Sequence, residues 1–127
     1  MNTELQIKYW IDGSGEDLST AQILIEQERF MHGLFFCHLA MEKILKAVYV
    51  KIKNDFAPKT HNLIYLCELC GIELADEQTA FYAILMKYQI TGRYPDNTTL
   101  SPGRTTAVQY YTKVREETAW LKQKLNQ

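Results

Sequence analysis

A chain of 127 residues has room for one hydrophobic core, so a single domain spanning residues 1–127 is expected. With 46% hydrophobic and 23% charged residues it has the make-up of a globular protein, and a net charge of −1 excludes a chain-wide basic coat for nucleic acid or membrane surface. No run approaches the ~18 apolar residues of a membrane span. The opening MNTELQIKYWIDGSGED mixes charge and glycine where a signal peptide needs an apolar core, and an odd cysteine count fits a reducing compartment, so a cytoplasmic protein is expected.

From Glu4 to Gln27, Trp10, Ser14, Leu18, Ala21 and Ile25 keep a helical spacing that survives Gly13 and Gly15. One helix with a weak or bent turn is expected there, with a break into two as the alternative. Glu28 and Arg29 make a short connection to an antiparallel neighbour. That neighbour, Phe30 to Lys53, has the strongest pattern in the chain: Phe30, Leu34, Cys37, Met41, Ile44, Val48 and Ile52 line one side, and Phe36, Ala40 and Ala47 another. A helix apolar on more than one side packs against more than one partner, which makes this the central helix.

The pattern stops at NDFAPKTHN, where Pro58 disfavours helix and Thr60 offers a cap for a short third helix carrying Leu63, Leu66, Cys67 and Cys70. Gly71 suits its C-terminal stop. Asp76 is the expected cap of a fourth helix with Phe81, Ile84, Leu85 and Tyr88 on its face, running out at Thr91 and Gly92. Gly92 to Gly103 reads as loop, and from about Arg104 a last helix carries Ala107, Tyr111, Val114, Thr118, Leu121 and Leu125. No stretch alternates with period two, so the expected fold is all-α, an up-and-down helical bundle of about five helices.

On the central helix His38, Glu42, Lys46 and Tyr49 follow at spacings of four, four and three, forming one polar stripe. Such a stripe is read on pattern alone as a solvated face; the sharper alternative is the rim of a binding groove. There is no glycine-rich phosphate loop, no His-Glu-x-x-His and no calcium loop. Cys67 and Cys70 form a lone Cys-x-x-Cys without the further ligands zinc requires, so all three thiols are expected as buried small hydrophobes, with no metal and no cofactor. His61, beside Thr60 at a helix start, is expected to bond a backbone group. Arg93-Tyr94-Pro95-Asp96 ends a helix with a cation, an aromatic, a conformational lock and an anion. It serves either to cap the helix and anchor the loop, or to present a guanidinium fork and a stacking ring to a phosphate-bearing ligand.

Taken together these motifs resemble the small prokaryotic HEPN-domain family. Trp10 with Asp17-Leu18 and Ala21 matches its first helix. His38, Ala40, Glu42-Lys43 and Leu45-Lys46-Ala47 match its central helix. His61 with Leu63 matches its third, and Arg93-Tyr94-Pro95 the segment after its fourth. The resemblance implies a helical bundle, commonly a homodimer, and a frequent pairing with a minimal nucleotidyltransferase in modules of toxin–antitoxin type. Many relatives are metal-independent ribonucleases using an arginine followed after four to six residues by histidine. Here that window after Arg93 holds Thr98, Thr99 and Leu100, and Arg29 and Arg104 fail the same test.

The leading expectation is therefore a binding protein for a nucleotide or phosphate ligand and a nucleotidyltransferase partner. In it Lys46 and Arg93 neutralise phosphate, Tyr94 stacks on a base, Glu42 orients a cation, and His38, His61 and Asp96 complete the site. A ribonuclease with Arg93 and His38 or His61 brought together across a dimer is the enzymatic alternative, and a structural dimerisation module the third. RNA is not the favoured partner and no membrane is expected. With 12% aromatic residues the chain has more than five short helices need for one core, which supports a homodimer.

Overall fold

Asn2 opens the first helix by accepting from the Leu5 amide at 3.1 Å, the side-chain cap that a helix N-terminus needs for its unpaired donors. A computed structural model describes residues 1–91 and 102–127. In them lie α1 (Thr3–Glu26), α2 (Phe30–Lys53), α3 (Leu63–Leu69), α4 (Asp76–Thr91) and α5 (Arg104–Gln123), closed by a 3₁₀ turn at Lys124–Asn126. Among the described residues there is no strand, and no helix is long and apolar enough to cross a membrane. The protein is an all-α bundle.

α1 runs unbroken through Gly13 and Gly15. Packing on α2 overrides the weak local propensity. Ser14, buried in the interface, donates to Ala40 O at 2.8 Å, and the Lys43 stem lies so close to Gly13 that an added Cβ would meet its Cδ at 3.0 Å. A hydrogen bond from Thr3 to the Asn54 side chain ties the start of α1 to the end of α2 and fixes the pair as antiparallel.

Between these helices Glu28 takes the left-handed conformation at φ 64°, with its amide on Ile25 O at 3.0 Å and the Arg29 amide on Leu24 O at 2.7 Å. That is a Schellman ending built without glycine, which is why no glycine marks it in the sequence. α3 ends the same way on Gly71, at φ 70°, with the Gly71 and Ile72 amides on Glu68 O and Cys67 O. A Cβ at Gly71 would meet nothing within 4 Å, so Gly71→Ala isolates the backbone term. It is expected to lower stability by about 1 kcal/mol, read as a lower urea midpoint at unchanged slope.

Two caps differ from expectation. α3 is capped by Asn62, which accepts from the Tyr65 amide at 2.9 Å, while the Thr60 hydroxyl accepts from the Asn62 amide and shapes the turn one step earlier. Asp76 is the first residue of α4 rather than its cap. Ala75 holds the cap position, its carbonyl accepting from the Thr79 amide and its own amide donating to the Gln78 side chain at 2.9 Å, half of a capping box.

α2 sits at the centre, packed against α1, α3, α4 and α5. Leu34, Cys37, Ala40, Met41, Leu45, Ala47 and Val48 have no exposed surface, so both apolar sides inferred from the sequence are used, except at Ile52 in the last turn, which is exposed. Leu63, Leu66 and Cys67 from α3, Phe81, Leu85 and Tyr88 from α4, and Ala107, Val114 and Leu121 from α5 complete the core. Tyr82, also fully buried, places its hydroxyl 2.6 Å from Glu117 Oε1. Burial, then the Glu117 carboxylate, holds that phenol well above its ordinary range, so it stays a donor.

Candidate site on the central helix

Successive turns of α2 carry His38, Glu42 and Lys46 on one face, and all three are buried. The solvated-stripe reading is therefore overturned. Water is replaced by His61 from the segment before α3 and by Trp10 from α1. Charged groups taken out of water need partners of their own, and each of these has one.

Glu42 is the hub. Its Oε2 accepts from Lys46 Nζ at 3.0 Å and its Oε1 faces His61 Nδ1 at 2.9 Å. His38 Nδ1 lies 4.0 Å from the same Oε1, and His38 Nε2 donates to the backbone carbonyl of His61 at 3.0 Å. A carbonyl can only accept, so the proton on His38 sits at Nε2. Lys46 Nζ lies 5.3 Å from the centre of the Trp10 ring, a cation–π contact that adds to its pairing with Glu42. Beside this group Lys43 Nζ stands 2.8 Å from Asp17 Oδ2, a charge pair that joins α2 to α1.

Exposure separates the roles. The side chains of His38, Glu42 and Lys46 are 0%, 7% and 7% exposed, while His61 keeps 53% of its side chain in solvent. Lys46, expected to meet a phosphate, instead spends its charge on Glu42. His61, expected to bond a backbone group, bonds the Glu42 carboxylate through its ring and receives His38 on its own backbone carbonyl. The structure thus brings His38, Glu42, Lys46 and His61 together. Arg93, Tyr94 and Asp96 lie outside the described residues.

Nothing in the sequence spacing marks Trp10 as the cover of Lys46, because a tryptophan at an apolar helix position reads simply as core. The cysteines are all buried, and loss of water around them pushes the Cys37 and Cys67 thiols up to about 12 and Cys70 up to about 11. Such thiols stay protonated at neutral pH and offer no thiolate nucleophile. No cluster of three or more His, Cys, Asp or Glu side chains suited to a metal occurs among the described residues. A cavity of about 620 Å³ opens elsewhere, between Lys51, Cys70, Ile72 and Lys124, away from the Glu42 group.

Comparison with known proteins bears on this arrangement. The family model described as "HEPN domain" matches residues 7–124. The crystal structure of TT1696 from Thermus thermophilus superposes with a TM-score of 0.80 at 20% identity, covering 98% of this chain and 99% of that one. At that identity the likeness establishes a shared fold. No match was found among curated proteins.

Proposed function

The chain belongs to the HEPN-domain family, and from that premise we propose that it is the nucleotide- and phosphate-binding component of a toxin–antitoxin-like module, acting in the cytoplasm as a single-domain homodimer with a nucleotidyltransferase partner. The observation that supports a ligand site is the contrast within one network: Glu42 is enclosed, while the imidazole it anchors keeps half of its side chain in solvent. Its bonded edge satisfies the buried carboxylate, and its other edge stays available to a ligand. In this reading His61 meets the ligand directly, Glu42 and Lys46 hold His61, and Arg93 and Tyr94 supply the phosphate fork and the stacking surface.

Isothermal titration with ATP and GTP tests it. Saturable heat in the wild type, weakened at least about tenfold by His61→Ala and by Arg93→Ala, is the expected result. Absence of both heat and thermal shift at millimolar nucleotide refutes it. The alternative reading, a ribonuclease completed across a dimer, gains support from the same pair, since a carboxylate-anchored imidazole is the arrangement of a general base. RNA cleavage in EDTA that disappears in His61→Ala would favour the enzyme over the binding protein.

A further inference from the structure

We propose that the Glu42–Lys46–Trp10 group fixes His61 as the Nδ1–H tautomer, leaving Nε2 as a bare acceptor that receives a sugar hydroxyl of the bound nucleotide; this rests on the nucleotide-binding reading above. Glu42 has two oxygens, and both are engaged: Oε2 by Lys46 at 3.0 Å and Oε1 by His61 Nδ1 at 2.9 Å. Beside a buried ammonium the carboxylate is an anion, and an ionised carboxylate only accepts. The proton of a neutral His61 ring therefore resides on Nδ1 and the lone pair on Nε2.

The residue is held in this position from two sides. His38 holds the His61 backbone carbonyl at 3.0 Å, so the residue is pinned at the main chain and at the ring. The Trp10 ring face lies over Lys46, which is 7% exposed and so has little access to water as a substitute for Glu42. Glu42, Lys46 and Trp10 are thus positioning residues that act through His61.

Tautomer dictates ligand chemistry. A bare Nε2 repels phosphate oxygens, lone pair against lone pair, and accepts from a donor. An ammonium donor would meet the field of Lys46, which shares the Glu42 carboxylate with His61. A neutral hydroxyl carries no such penalty, and the sugar hydroxyls are the neutral donors common to every ribonucleotide. His61 then reads the sugar, and the phosphate is left to other residues.

Two measurements decide the matter. Nitrogen-15 NMR of the histidine rings reports the tautomer without any ligand: His61 is expected as Nδ1–H in the wild type, reverting to the usual Nε2–H form in Glu42→Gln. An Nε2–H ring in the wild type overturns the positioning role. Titration with ATP, 2′-deoxy-ATP and 3′-deoxy-ATP then reads the hydroxyl. Loss of one hydroxyl is expected to weaken wild-type binding about 5- to 10-fold and His61→Ala binding not at all. If ATP binds but neither hydroxyl matters, or if both proteins discriminate equally, the hydroxyl contact is refuted while nucleotide binding stands. If ATP does not bind, the functional reading itself fails and takes the hydroxyl with it, leaving the NMR result to judge the tautomer alone.

Discussion

Glu42→Ala is expected to lower the free energy of unfolding by about 3–5 kcal/mol, the range for breaking a buried ion pair from one side. The mechanism is the stranding of Lys46, which is 7% exposed, faces the Trp10 ring and cannot rehydrate without disturbing the α1–α2 contact. His61 loses its anchor in the same step. Urea unfolding followed by circular dichroism measures the loss. The double variant Glu42→Leu with Lys46→Met removes both charges and is expected to recover most of the stability, because replacing a buried pair by apolar groups of similar size is often neutral. It should not recover nucleotide binding, since His61 is then unanchored. Recovery of both would mean that the network serves the fold alone and that nucleotide is held by other residues, without an anchored His61. Near-neutrality of Glu42→Ala would show that Lys46 finds water, contrary to its burial.

The difference between what the sequence discloses and what it hides has a physical origin that this network illustrates. The span of α2, Phe30–Lys53, is legible because apolar residues recur on two sides of it over more than six turns and because the polar Glu28-Arg29 and the proline-bearing NDFAPKTHN bound it. The grouping of His38, Glu42 and Lys46 is legible too, since side chains four apart must stack on one face. Their burial is not. A polar stripe has the same spacing whether water or another part of the chain lies over it, and here the cover comes from Trp10 and His61, remote in sequence and placed only by the tertiary fold. The turn at Glu28 is hidden for another reason: the Schellman hydrogen bonds, with an ion pair to the distant Arg104, accompany a non-glycine residue at φ 64°, where local preference would call for glycine. Tyr82 reads as one more aromatic until α5 brings Glu117 to within 2.6 Å of its hydroxyl.

Gly33→Ala is expected to be destabilising by about 1–3 kcal/mol although alanine is the better helix former by about 1 kcal/mol, because steric overlap exceeds the gain in propensity. A Cβ at position 33 would stand 2.6 Å from Ile25 Cγ1 and 3.3 Å from the backbone oxygen of Ala21. Ile25 is 4% exposed and Ala21 is fully buried, so relief of the overlap requires an off-rotamer Ile25 side chain or a shift of α1 off α2. Ile25→Ala alone should cost about 2–5 kcal/mol through the cavity it leaves. Combined with Gly33→Ala it removes the closest contact and partly refills that cavity, so the double variant should be more stable than the sum of the two single effects by about 0.5–3 kcal/mol. Thermal or urea melts of the four proteins close the cycle. Simple additivity would mean that the added methyl never meets Ile25, and that α1 rides on α2 loosely at this end. A loose α1 would carry Trp10 with it and uncover Lys46, so the packing at Gly33 bears on how firmly Glu42 and His61 are held two turns and more away.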